Sequence, residues 1–326
     1  MKSYNLCVVG AGKWGINHIR TLYELGALSG IVDTNISATN SLKKIYPHCL
    51  TFSNLEDSFE KNFDAYIVAS PPKTHYEIAK KIIEKKKPLL VEKPLTLNLK
   101  DSIDLNNFAK KNNVKLMVGH LLLFHPAFTK IKELINKGKL GRIQYIYSNR
   151  LNMGRFRTNE NVFWSFAPHD IALFNYFFNQ KPTSVRSNGI DILQPGIHDS
   201  SITSFNYDGK KMGHIFVSWL HPFKEHRFII IGSEGMLHFE DSGIKKSLLF
   251  YDNKAEFINS VPNPKNGEIT DIAFSDDRPL TNELKYFISK LNSEKIEVSS
   301  GIEGLDVIKI LEDASNSLIV KNNIEK

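Results

Sequence analysis

Cysteine is scarce in this chain. Cys7 and Cys49 are the only two among 326 residues, and neither has partners at metal-ligand spacing. That excludes a zinc ribbon, an iron–sulfur centre and a disulfide framework, and no metal is expected. Two reduced thiols suit a cytoplasmic protein, and Cys7 reads as core within a strand. Long hydrophobic runs are also missing. Stretches such as Leu121–Phe124 and Phe228–Ile231 fall far short of the ~20 apolar residues of a membrane-spanning helix. Leu6–Val9, broken by Gly10, is too short for the apolar core of a secretory leader. No block of one charge occurs either. The net charge is +7, but the lysines are scattered as Lys43-Lys44, Lys80-Lys81, Lys85–Lys87, Lys110-Lys111 and Lys245-Lys246. They read as solvated helix faces, which gives no ground for a nucleic-acid or membrane partner. Repeats and low-complexity linkers are absent. What remains is globular composition, 41% hydrophobic and 24% charged, long enough for two domains with buried cores.

The first third alternates short apolar runs with helical patterns. Strands are expected at Tyr4–Val9, Leu28–Val32, Leu50–Phe52, Ala65–Ala69, Pro88–Val91 and Lys115–Val118. Helices are expected at Trp14–Leu25, from Asn35 or Ser37 to Ile45, from Tyr76 to Lys85 with Thr74 as cap, and at Leu99–Asn112. This alternation predicts a doubly wound parallel sheet. The pattern changes near Gly119-His120. A helix at Pro126–Lys137, a long strand at Ile143–Met153 and a helix at His169–Phe178 come next. Strand-like runs follow at Ser184–Leu193, Ser200–Tyr207, Met212–Leu220, Arg227–Ile231 and Met236–Glu240, separated by turns such as Asp208-Gly209. Two helices, Asn282–Leu291 and Ile302–Lys321, close the chain. The expected organisation is therefore a Rossmann domain, 1–119, and an α+β domain, 120–326, with an open, mostly antiparallel sheet.

Gly10-Ala11-Gly12-Lys13-Trp14-Gly15 is a G-x-G-x-x-G between an expected strand and an expected helix. In that context it predicts a dinucleotide site: Gly10 for the turn, Gly12 for approach of the pyrophosphate, Gly15 for helix–strand packing. Asp33, at the next strand end, would accept hydrogen bonds from ribose hydroxyls and repel a 2′-phosphate, so NAD is favoured over NADP. Two later strand ends also carry polar groups. Ser70, Pro71 and His75 follow one, and Glu92-Lys93-Pro94 ends the other. Ser70, Pro71, His75, Glu92 and Lys93 are expected to help hold the cofactor. A lysine there can hold a substrate hydroxyl or share its proton.

Together these segments resemble the Gfo/Idh/MocA oxidoreductases, and Gly138–Ile143 and the closing helices extend the resemblance over nearly the whole chain. The resemblance implies that Lys93 positions substrate and shares a proton, on a bond to Pro94 that is often cis. It also implies that the second sheet commonly makes a dimer or tetramer interface. The family usually carries D-x-x-x-H in the second domain. Here His169 matches the catalytic base, while Ser165 stands where the aspartate is usual. A serine cannot clamp two sugar hydroxyls as a carboxylate does, which weighs against inositol-type polyols.

Further candidates for substrate contact are His120, His125, Arg150, Asn152 and Arg155. Arginines suit a diphosphate or carboxylate. Trp164 and the Phe174–Phe178 cluster read as core, and Trp219–Lys224 as an interface or a substrate contact. The segment Trp164–Ile171 and the later Ser218–Pro222 resemble family members that act on nucleotide-linked sugars. That implies NAD-dependent oxidation at C3 of a UDP-N-acetylhexosamine or its uronate to a 3-keto sugar. A PLP aminotransferase would act next, in surface-polysaccharide or lipid A synthesis. Alternatives are a free-sugar or inositol dehydrogenase, a glycosidase that uses transient C3 oxidation, and a non-catalytic NAD-binding sensor.

Overall fold

The computed structural model describes residues 4–293 and 295–322. These form two compact units, residues 4–124 with 277–309 and residues 125–276 with 310–322. In the first unit β1 (Leu6–Val9), α1 (Gly15–Glu24), β2 (Leu28–Val32), α2 (Ile36–Ile45), β3 (Leu50–Phe52) and α3 (Leu55–Phe59) lead to β4 (Ala65–Val68). Then come α4 (His75–Glu84), β5 (Leu89–Glu92), α5 (Leu99–Lys111) and β6 (Leu116–Gly119). The six strands pair in parallel in the order β3-β2-β1-β4-β5-β6. Parallel neighbours need crossovers, and the apolar strands β1, β4, β5 and β6 are buried along their whole length. Each fully buried aliphatic side chain contributes about 2 kcal/mol. The chain reverses its winding between β1 and β4, so a crevice opens at their carboxyl ends.

Helix starts follow local chemistry. Asn35, Asn54 and Asn98 accept from the backbone N–H three residues on and cap α2, α3 and α5. Thr74 does not cap α4. Its hydroxyl turns back onto Ser70 and Pro71 within a short 3-10 turn, Pro72–Thr74. The five-residue helix α3 has too few residues to show periodicity.

The second unit begins with α6 (Pro126–Asn136), β7 (Ile143–Met153), α7 (Val162–Phe166) and α8 (Pro168–Phe178). Next are β8 (Ser184–Ile190), β9 (Ser200–Tyr207), β10 (Lys211–Ser218), β11 (Leu220–Gly232) and β12 (Met236–Glu240). Four short strands end it: β13 (Ser247–Tyr251), β14 (Lys254–Ile258), β15 (Val261–Lys265) and β16 (Ile269–Asp271). Eight strands form one sheet, β16-β13-β12-β11-β7-β10-β9-β8, antiparallel except for the β7–β10 pair, and β14–β15 is a separate hairpin. One sheet face is buried under aromatic rings: Phe128 of α6 lies 5.1 Å from Phe228 and 5.0 Å from Phe239. Arg227–Ile231 is the end of the longer strand β11, whose register slips between Leu220 and Glu225. That slip hides the strand's first half from an alternation pattern. Ile192 and Leu193 lie past β8 and donate their N–H groups to Asp199.

The closing helices are α9 (Pro279–Lys290) and α10 (Gly301–Asn322). α9 packs in the first unit against α1 and against the 3-10 turn Leu121–Phe124. No helix among the described residues is long and apolar enough to cross a membrane.

Candidate active site

The Gly-rich loop leaves β1 at Gly10, whose φ of +100° is open to glycine. A Cβ there would lie 2.6 Å from the Ser70 nitrogen, and one on Gly15 would lie 1.9 Å from the Gly10 oxygen. A Cβ on Gly12 would meet nothing within 4 Å. Gly10 and Gly15 are therefore demanded by the chain's own packing, while Gly12 faces open space. α1 starts without a side-chain cap and without an acid in its first turn. An uncapped helix start over an open glycine fits the pyrophosphate of a dinucleotide. Asp33 accepts from Ala11 N at 2.6 Å and from Asn35 N at 2.8 Å. Each carboxylate oxygen keeps a second lone pair for a ribose hydroxyl. Lys13 is exposed.

The ends of β4 and β5 are tied together. Both ring nitrogens of His75 face carbonyl oxygens, Nδ1 that of Pro94 at 2.8 Å and Nε2 that of Ser70 at 2.9 Å. Burial pushes the His75 pKa down, against those two contacts. His75 thus anchors the loop to the Lys93–Pro94 peptide, which is cis. Ser70 is half-buried and Pro71 exposed.

Glu92 is the centre of a buried knot. Its Oε1 accepts from Trp14 Nε1 and lies 2.6 Å from His18 Nε2, and its Oε2 accepts from the Lys93 backbone N–H at 3.1 Å. Burial works to raise this carboxyl, and His18, then Trp14 and the Lys93 N–H, outweigh it, so it is held below the usual carboxylate range. The structure therefore gives Glu92 the work of joining α1 to the end of β5. His18 is absent from the sequence reading, although it lies one turn after Trp14 on the buried side of α1. Glu283 of α9 is absent too. It is fully buried, neither of its carboxyl oxygens has a hydrogen-bond partner among the described residues, and burial followed by the nearby Glu92 charge pushes its pKa far up. Its signal was available: a charged residue on the same helix stripe as Leu280, Leu284 and Phe287.

Lys93 is half-buried at the carboxyl end of β5. His120, at the end of β6, is buried, and burial, then the Lys93 charge, pushes it down to about 4. The first unit thus brings together Gly10–Gly15, Asp33, Ser70, His75, Glu92, Lys93 and His120 along one edge of its sheet.

In the second unit His169 is half-buried in the first turn of α8. Ser165 precedes it by one turn, across Ala167, whose backbone stays helical, so the two share a face. Asp170 is buried and bound to the guanidinium of Arg150 on β7. Burial raises the Asp170 pKa, and Arg150 only partly offsets it. Asn152 is half-buried, and its Oδ1 has no partner among the described residues. Arg155 is exposed beyond the end of β7. His125 caps α6 through Nδ1, which accepts from Ala127 N at 3.1 Å.

Comparison with known proteins gives the following. Residues 4–120 match the model described as an oxidoreductase family with an NAD-binding Rossmann fold, and residues 128–238 match the GFO/IDH/MocA C-terminal domain. The scyllo-inositol 2-dehydrogenase (NAD(+)) of Bacillus subtilis is 28% identical over 245 residues, 71% of this chain and 72% of that protein. UDP-N-acetylglucosamine 3-dehydrogenase GnnA from Acidithiobacillus ferrooxidans superposes with a TM-score of 0.85 at 18% identity, over 98% of both chains. The WlbA dehydrogenase from Bordetella pertussis, solved with NADH and UDP-GlcNAcA, superposes with a TM-score of 0.78 at 19% identity, over 98% of both chains. At these identities the two superpositions attest the fold.

Proposed function

The chain belongs to the Gfo/Idh/MocA family of NAD-binding oxidoreductases, and from that premise we propose that it oxidises a secondary hydroxyl of a sugar nucleotide. The substrate in this reading is a UDP-N-acetylhexosamine, UDP-GlcNAc or its uronate, converted at C3 to the 3-keto sugar. The observation that carries the dehydrogenase reading is Lys93, an ammonium at the end of β5 on the same sheet edge as the open Gly12 loop. Bound NAD supplies the hydride acceptor. Lys93 holds the reacting hydroxyl and stabilises the negative charge that grows on its oxygen. The His169 imidazole takes the hydroxyl proton. Asp33, the Gly10–Gly15 loop and the Ser70–His75 turn hold and orient the cofactor. Ser165 supports a sugar nucleotide over a free polyol, because a hydroxyl there cannot clamp a vicinal diol as a carboxylate can. The keto product suits a PLP aminotransferase as the next enzyme, and a homodimer or homotetramer in the cytoplasm is the expected working form.

The 28% identity to the scyllo-inositol enzyme favours a second reading, oxidation of a free inositol or sugar. NADH formation with UDP-GlcNAc, its uronate, UDP-GalNAc, glucose and scyllo-inositol separates the two. Turnover confined to UDP-sugars supports the first reading. Turnover of scyllo-inositol alone overturns it.

A further inference from the structure

We propose that the second unit carries an oxyanion subsite built on His125, Lys246, Lys224, Arg150 and His226, which takes a carboxylate or phosphate group of the substrate. This rests on the sugar-nucleotide reading for its substrate and on geometry within one unit for its existence.

The starting point is a misfit between donors. His125 is 5% exposed, and its Nδ1 accepts the Ala127 N–H. Burial, then the Lys246 charge, pushes its pKa down to about 4, so the ring is neutral and carries its one proton on Nε2. That nitrogen lies 3.3 Å from Lys246 Nζ. An ammonium has donors only. Two N–H groups thus face each other at contact distance with no acceptor between them. An oxygen anion placed beside both turns the clash into two charge-assisted hydrogen bonds.

The surroundings supply the charge. Asp241 lies 3.7 Å from Lys246 and 3.6 Å from Lys224, distances of ion pairing rather than hydrogen bonding. Arg150 stands directly opposite His226 in the β7–β11 register, and its charge bears on both His125 and His226. Burial, then Arg150 and Lys224, push His226 down to about 4, against Asp241 and Glu240. Glu240 is itself engaged by Arg227 and Ser242. With Arg150 committed to Asp170, the two lysines share the single carboxylate of Asp241. One positive charge is left over, and the start of α6 adds the partial charge of its N–H groups. Lys224 and Lys246 are each 42% exposed, whereas His125 and Asp170 are buried, so the cluster has an accessible rim and a closed floor. The Arg150–Asp170 pair connects it to the first turn of α8, where His169 sits. A neutral polyol could offer these donors a hydroxyl oxygen but would leave the surplus positive charge uncompensated, so the subsite favours anionic substrates.

The test is calorimetric binding to the NAD-loaded protein of four probes: UDP-GlcNAc, its uronate, UDP and inorganic phosphate. The variants are Lys246→Met and His125→Asn. Asparagine keeps the helix cap and removes the second ring nitrogen. Each variant is expected to weaken binding by about tenfold or more. Loss confined to the uronate assigns the subsite to its carboxylate. Equal loss for both UDP-sugars, UDP and phosphate assigns it to a phosphate. An unchanged urea midpoint in both variants reports an intact fold. Wild-type affinity of both variants for all four probes overturns the proposal. The substrate reading fails separately: a protein that turns over only scyllo-inositol, yet loses phosphate or UDP binding in Lys246→Met, keeps the subsite and loses the sugar nucleotide.

Discussion

Glu92 and Asp170 are both buried carboxylates, and each adjoins a residue given a chemical role, Lys93 in the first unit and His169 in the second. Their surroundings push them in opposite directions. Glu92 is held low by His18, through its hydrogen bond and its charge, and then by the Trp14 indole N–H and the Lys93 backbone N–H. Asp170 has the arginine and is still raised. Glu283, with no donor among the described residues, is raised furthest of the three. In a buried site desolvation sets the starting point, and donors and charge together must outweigh it: His18, Trp14 and the Lys93 N–H do so at Glu92, whereas Arg150, Ser148 and a backbone N–H fall short at Asp170.

The strongest way to break this comparison is to remove the cation. Arg150→Met leaves Asp170 buried without its cation and is expected to cost about 3 kcal/mol, read as a lower urea midpoint. A cost near zero would mean that Asp170 is neutral already and the pair is idle. Glu92→Gln keeps the shape but strips the charge from the knot, and about 2 kcal/mol should go with it. NAD affinity should fall as well, since the start of α1 is held through Trp14 and His18. Because the folded-state value of Glu92 is depressed, the wild type's advantage over the glutamine variant should be full at neutral pH and fade as the pH falls below 4.5. Glu283→Leu should stabilise by about 1 kcal/mol at pH 7, since it replaces an unpartnered acid with an apolar group. The sign with pH is opposite here. A raised carboxyl contributes stability below its ordinary value of 4.5 and loses it as the pH climbs through the folded value, so the variant's lead should widen from pH 5 to pH 9. The glycines sharpen the cofactor half of the account. Gly15→Ala should destabilise through the Gly10 carbonyl, while Gly12→Ala should leave the urea midpoint within about 0.5 kcal/mol and still weaken NAD binding.

These contrasts also show what a linear reading can and cannot reach. The positions of the Gly10–Gly15 loop, Asp33 and Lys93 are legible because each lies in a contiguous segment at a predictable strand terminus. The Glu92 knot is not, since its donors lie 74 and 78 residues away and nothing in the local pattern pairs them. The same holds for the Lys246–His125 contact, 121 residues apart in the chain. Strands β13 to β16 escape because they are only three to five residues long and show no clear alternation, and β14 and β15 carry lysine or proline. Residues 277–309 belong to the first unit, a return that the helical spacing of Asn282–Leu291 does not announce.

In the proposed function Lys93 and His169 serve one dehydrogenation of a UDP-sugar. NADH formation from UDP-GlcNAc and from its uronate, compared across wild type, Lys93→Met and His169→Asn, tests this reading most directly. The wild type is expected to turn over at least one of the two sugars. A fall of about a hundredfold or more in kcat is expected for each variant, with NAD binding retained. Turnover of neither sugar while scyllo-inositol is oxidised, or variants as fast as the wild type, would contradict this reading.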